Sequence, residues 1–141
     1  MSSQTVGPAV EALTDLIAQL RERCPWDREQ THASLVKYLV EESQEVVDAL
    51  AALDTPGADR KVAYAELEEE LGDLFLQVLL HAHLASEQGF FDLAGVAERL
   101  HAKLVRRHPH VFGDFVAETA EEVNANWERI KERERQDKGE P

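Results

Sequence analysis

The residues best suited to chemistry are carboxylates in two short runs, Glu41-Glu42-Ser43-Gln44-Glu45 and Glu70-Leu71-Gly72-Asp73. On a helix, at about 100° per residue, Glu45 lies roughly 40° round from Glu41 and roughly 60° from Glu42, so the three acids share one broad face. Glu70 and Asp73, spaced i, i+3, are neighbours in the same way. Between the runs lies Asp54-Thr55-Pro56-Gly57-Ala58-Asp59, a turn by composition. The first set lies 12 to 16 residues before Gly57 and the second 13 to 16 after it. An antiparallel hairpin therefore brings both sets to one height. Leu39, Val40, Val46 and Val47 flank one set, and Leu71, Leu74 and Phe75 the other, so the acids stand at an apolar border. Clustered ionised carboxylates repel unless their pKa values rise or cations bind. Hard oxygen donors without cysteine suit Mg²⁺, with Mn²⁺ able to substitute. Glu66, Glu68 and Glu69 read instead as a solvated face, and on the residues alone that reading stays open for the whole cluster.

A second group is basic and aromatic. Lys103 and Arg107 are spaced i, i+4 within a stretch that continues Arg106-Arg107-His108-Pro109-His110-Val111-Phe112, and Trp127 and Lys131 share that spacing. Lys and Arg pair with phosphate oxygens, and an indole stacks on a base or ribose. The plainer alternatives are a surface Lys103, a core Trp127, and His108 and His110 capping or packing a turn. Cys24-Pro25-Trp26-Asp27 places Trp26 at the end of a helical assembly, either packed there or in contact with substrate. Cys24 has no partner base and is not read as a nucleophile.

These groups require helices to position them. The 141 residues fit one domain, 43% of them are apolar, and 7 Gly and 5 Pro are too few for a turn-rich β protein. Five helices are expected: about Pro8–Arg23 with Val10, Leu13, Ile17 and Leu20 on one stripe; about Ser34–Leu53 with Leu35, Leu39, Val46, Leu50 and Leu53 buried; about Lys61–Gln88 with an apolar stripe of Leu67, Leu71, Leu74, Phe75, Val78 and Leu79; one from near Asp92 that stops before Pro109; and one capped by Thr119 with Glu122. Gly89 reads as the C-terminal stop of the third, and Arg133–Pro141 as a charged, frayed tail. A net charge of −13 weighs against nucleic-acid binding. The lone cysteine excludes a disulfide framework, and no stretch reads as a signal peptide or membrane span. The expected location is the cytoplasm.

With these residues in view the sequence resembles the MazG family of nucleoside triphosphate pyrophosphohydrolases. The likeness rests on Cys24-Pro-Trp-Asp-Arg-Glu-Gln-Thr31, on Glu41-Glu42-x-x-Glu45 with Glu70-x-x-Asp73, on Lys103-Leu-x-Arg-Arg-His-Pro-His-Val-Phe112, and on Asn126-Trp127-Glu-x-Ile-Lys131. It covers roughly Leu13 to Lys131. The resemblance implies an all-α bundle of antiparallel helices that assembles as a homodimer, a single domain over 1–141 with its core at about 8–132. It implies Mg²⁺ held by Glu42, Glu45, Glu70 and Asp73, with Glu41 as a further ligand or, like Glu42, a catalytic base. Substrate-contact candidates are Trp26, Lys103, Arg106, Arg107, Trp127 and Lys131. The implied reaction converts a (deoxy)nucleoside triphosphate and water to the monophosphate and pyrophosphate, in the housekeeping of nucleotide pools. Two other readings are a di-iron bundle using Glu29-x-x-His32 and Glu98-x-x-His101, and a non-catalytic helical module that binds nucleotide or a protein partner.

Overall fold

The computed structural model describes residues 5–139, and among these the secondary structure is helical with no strand. The helices are α1 (Val6–Arg23), α2 (Pro25–Glu29), α3 (His32–Leu53), α4 (Arg60–Glu87), α5 (Leu93–Arg107), α6 (Pro109–Phe112) and α7 (Ala120–Asp137). Two of these, α2 and α6, go beyond the five expected from periodicity. Both open on proline, whose fixed φ suits the first helical position and whose missing N–H would be unpaired there anyway. Pro25 and Pro109 therefore start helices as well as ending them.

Helix ends moved for identifiable reasons. α3 starts at His32 rather than Ser34 because Thr31 and Ser34 cap each other reciprocally. α7 runs on to Asp137, through a stretch expected to fray from Arg133. Glu134 is tied to Arg106 at 2.7 Å and to Arg107 at 2.8 Å, and Glu132 pairs with Arg135. The last two residues of the expected tail, 140 and 141, lie outside the described residues.

The chain divides into two units, Met1–Leu93 and Ala94–Pro141. In the first, α3 and α4 form an antiparallel hairpin. Gly57, at φ 80°, turns the chain in a region that strains any residue with a Cβ. Asp59 caps α4 by accepting from the backbone N–H groups of Lys61 and Val62. Gly89, at φ 77°, follows the end of α4. One face of α4 meets α3 and another meets α1. Its buried Leu79, Leu80 and Leu84 join Ile17 of α1 and Leu35 of α3, with Leu13, Leu20, Tyr38 and Phe75 around them.

Side-chain placement on α3 departs from expectation. Leu35 and Val46 are buried as expected, but Leu39 and Leu50 are exposed. The inward face instead carries Leu35, Tyr38, Glu42, Val46 and Ala49. On α4, Leu71 and Val78 are likewise exposed while Leu79 is buried. The apolar residues of each helix belong to two faces, and only one of them is buried among the described residues.

Two polar contacts complete this unit. Arg21 of α1 donates to the backbone carbonyls of Asp27, Arg28 and Gln30 at 2.6–3.0 Å and pairs with Glu87 of α4 at 3.1 Å. It thereby fastens α2 and the following loop to α1 and α4. At the hairpin's open end the rings of His32 and His81 lie nearly parallel and edge to edge, centroids 5.0 Å apart, with their Nδ1 atoms 2.7 Å from each other. Among the described residues no helix is long and apolar enough to cross a membrane.

Candidate metal centre and phosphate-contact residues

The hairpin brings Glu42 and Glu45 of α3 together with Glu70 and Asp73 of α4. Each offers a carboxylate oxygen, and the four atoms all lie within 4.8 Å of one another. Glu70 hydrogen-bonds to Glu45 across the two helices, and Glu42 to Glu45 along α3. The equal offsets about Gly57 thus produce the juxtaposition expected of them. Glu41, expected as a fifth member, is exposed and outside the group of four, although its charge acts on Glu42. Glu66, Glu68 and Glu69 are exposed, as expected of a solvated face.

Among the described residues no salt bridge reaches the four carboxylates. One oxygen each of Glu42 and Glu70 is buried and receives no hydrogen bond. The hydrogen bond with Glu45, burial, and the charges of Glu45, Asp73 and Glu42 raise Glu70 to a pKa of about 7. Burial, then Glu45, Asp73 and Glu41, also raise Glu42 above the usual carboxylate range. Without a cation Glu70 therefore keeps its proton up to about pH 7. Oxygen-only donors, two of them buried without a donor, suit a hard divalent cation.

This has a measurable consequence. A carboxyl whose pKa rises from 4.5 to about 7 on folding adds stability below pH 4.5 and loses that contribution as pH climbs through 7. A bound divalent ion takes the place of the proton. The melting temperature with saturating Mg²⁺, minus that in EDTA, is expected to widen steadily from pH 5 to pH 8. Calorimetric titration in buffers of different ionisation enthalpy is expected to show proton release on Mg²⁺ binding. A gap that stays constant across this range contradicts the assignment.

Trp26, on α2, is about half exposed and meets Tyr38 edge-on at 5.7 Å. Tyr38 is one turn before Glu41 and Glu42 on α3, so part of the indole is packed and part is open to a ligand. Arg21 positions Trp26 through the carbonyls it gathers. Sequence reading missed Arg21 because its partners are backbone atoms, which leave no residue-type signal. The Glu29-x-x-His32 pair of the di-iron reading does not survive: α2 ends at Glu29, α3 begins at His32, and His32 is engaged by His81.

The second unit holds the basic candidates. Arg106 and Arg107 converge on Glu134, whose carboxyl is depressed to about 2 by Arg107 and then Arg106. Arg107 Nε is buried without an acceptor, as is Trp127 Nε1. Lys131 Nζ lies 5.5 Å from the centre of the Trp127 ring and pairs with Glu128 at 2.8 Å. Lys103 is half-buried on α5. His108 donates from Nδ1 to the Leu104 carbonyl at 2.6 Å and packs on His110 and Trp127, the capping and packing role expected of it. Glu134 was not foreseen; it lies 27 residues from Arg107, with no local spacing to betray the pairing.

A family model described as the MazG nucleotide pyrophosphohydrolase domain matches residues 30–112. The chain is 42% identical over 132 residues to the nucleoside triphosphate pyrophosphohydrolase of Escherichia coli K12, covering 92% of this chain and 47% of that protein. It is 42% identical over 131 residues to the nucleoside triphosphate pyrophosphohydrolase/pyrophosphatase MazG of Thermotoga maritima, covering 92% of this chain and 46% of that one. The corresponding enzyme of Mycobacterium tuberculosis is 41% identical over 127 residues, 86% of this chain and 36% of the relative. The chain spans about half the length, or less, of these curated relatives.

Proposed function

The chain belongs to the MazG nucleotide pyrophosphohydrolase family, and from that premise we propose that it hydrolyses nucleoside triphosphates to the monophosphate and pyrophosphate with Mg²⁺, in the housekeeping of nucleotide pools. The observation that carries this reading is the four-carboxylate group with two buried oxygens lacking donors. The alignments with the pyrophosphohydrolases extend over both units of the chain, which supports treating them as one functional domain.

Glu42, Glu45, Glu70 and Asp73 hold the cation, two from each arm of the hairpin. When bound, the ion acts as a Lewis acid on phosphate oxygens and lowers the pKa of water; Mn²⁺ has the same oxygen preference. Glu41, exposed beside Glu42, is placed to take the proton as water attacks the α-phosphorus, and Glu42 is the other candidate base. Lys103, Arg106, Arg107 and Lys131 pair with phosphate oxygens and stabilise the charge that develops on departing pyrophosphate. Trp26 and Trp127 offer ring faces to the base or ribose. Arg106 and Arg107 are shared with Glu134, which keeps both guanidinium groups ordered before substrate arrives.

A homodimer belongs to the same reading. Val36, Leu39, Val40, Val47 and Leu50 of α3 are exposed, and all lie about 60–160° round from the inward Glu42. Tyr64, Leu71 and Val78 of α4 are exposed about 80–120° round from the inward Glu70. Because the helices are antiparallel and face each other, equal rotations put both stripes on one side of the hairpin. A contiguous apolar face of this kind marks an interaction surface.

Incubation with each common and damaged nucleoside triphosphate and Mg²⁺, with products separated, tests the reaction. The expected products are pyrophosphate and the monophosphate in equal amounts. Direct release of orthophosphate overturns the pyrophosphohydrolase reaction, and no turnover of any nucleotide favours the non-catalytic helical module instead.

A further inference from the structure

Gln77 is the buried polar side chain of α4, 4% exposed, and its Oε1 has no hydrogen-bond donor among the described residues. Its place in the hairpin follows from the register. Glu70 bonds Glu45, Asp73 joins Glu42 in the carboxylate group, and His81 meets His32 at the far end. Gln77 lies one turn beyond Asp73 and two beyond Glu70, on the same face of α4. It therefore occupies the layer between the carboxylates and the imidazole pair, level with Tyr38.

A buried amide oxygen without a donor destabilises the fold, and an apolar side chain of similar size would remove that penalty. The residue calls for a donor that the described residues do not supply. Mg²⁺ retains several of its waters when bound by carboxylates, and those waters are strong hydrogen-bond donors that require acceptors around the ion. The acceptor without a donor and the site that brings donors are one helical turn apart.

We propose that Gln77 is a positioning residue of the metal centre, its side-chain oxygen accepting a hydrogen bond from a water in the hydration sphere of the cation held by Glu42, Glu45, Glu70 and Asp73. This rests on the metal-binding reading above. Gln77 touches neither phosphate nor nucleotide; it fixes the orientation of the hydrated ion. Groups that orient a metal site in this way typically change affinity by about 10–100-fold when lost.

Gln77→Met keeps length and volume while removing the acceptor. The melting temperature in EDTA is expected to stay level or rise by roughly 2–5 °C, since the unpaired oxygen is gone. The Mg²⁺ dissociation constant measured by calorimetry is expected to rise about tenfold or more. At saturating Mg²⁺, kcat falls while KM for the nucleotide stays within about twofold. Unchanged Mg²⁺ affinity, whatever the melting temperature, overturns the proposal. If the wild-type protein itself fails to bind Mg²⁺, the metal-centre reading fails with it, a distinct outcome. Should Gln77→Met not fold, a crystal structure of the wild-type protein with Mg²⁺ decides. A metal-bound water about 2.7–3.2 Å from Gln77 Oε1 supports the proposal, and an amide bonded only to protein groups overturns it.

Discussion

Replacing Glu70 with glutamine is expected to lower nucleotide turnover by about 10³-fold or more, while the protein melts higher than wild type in EDTA at pH 8. Glu70 is one of four oxygen donors to the proposed cation and the site where the cluster keeps its proton near neutrality. Removing its charge removes Lewis-acid stabilisation worth several kcal/mol, and each 1.4 kcal/mol is a tenfold change in rate. The amide of glutamine can still hydrogen-bond to Glu45, and it spares Glu45, Asp73 and Glu42 a like-charged neighbour. The gain in stability over wild type therefore grows from about pH 4.5, where the unfolded carboxyl begins to ionise, and is complete above about pH 7. Below about pH 4.5 the variant and wild type are expected to melt together. Asp73→Asn is expected to move turnover the same way, with the helical circular dichroism intact in both. Near-native turnover in either variant removes the carboxylate group from the reaction.

A single charge on the exposed side of α3 is expected to have the next largest effect. Val47→Glu places a carboxylate on the apolar stripe at a position 55% exposed in the protomer, so the fold itself is spared. In a twofold-symmetric interface the substitution appears twice. A buried, unpaired charge costs about 3–5 kcal/mol, so the two copies together weaken association by about 10³-fold or more. Sedimentation equilibrium at about 10 µM is expected to give twice the chain mass of 15.9 kDa for wild type and one chain mass for the variant. A wild-type protein that sediments as a single chain ends the dimer reading. A variant that still associates fully places the contact elsewhere.

How far the sequence disclosed these features depends on the range of the interaction. The meeting of Glu42, Glu45, Glu70 and Asp73 was legible because a glycine-bearing turn and equal offsets determine which turns of two helices face each other. The start of α7 at Thr119 follows local capping chemistry that spacing displays, whereas the caps at Thr31 and Asp59, equally local, were not read from the sequence. The assignment of Leu39 and Leu50 to the core failed because periodicity locates an apolar stripe but cannot say whether the same chain covers it. α2 and α6, of 5 and 4 residues, are too short to show a period. Arg21 and Glu134 were invisible for a different reason. One acts on backbone carbonyls and the other on arginines 27 and 28 residues away, so neither contact has a local signature. Gln77 looked like any helix-forming residue until its burial and its missing donor were known.

The contact between His32 and His81 makes two chemically identical side chains unlike each other. Rings that meet through the same nitrogen, Nδ1 to Nδ1 at 2.7 Å, require one to offer hydrogen and the other a lone pair. When both are neutral, one imidazole is the Nδ1-protonated tautomer and the other the Nε2-protonated one. The pair can accept one further proton on an outward-facing nitrogen without losing the bond, but a second would set hydrogen against hydrogen. The open end of the hairpin is thus fastened by a link whose polarity can reverse, with the tautomers exchanging roles while the helices stay still.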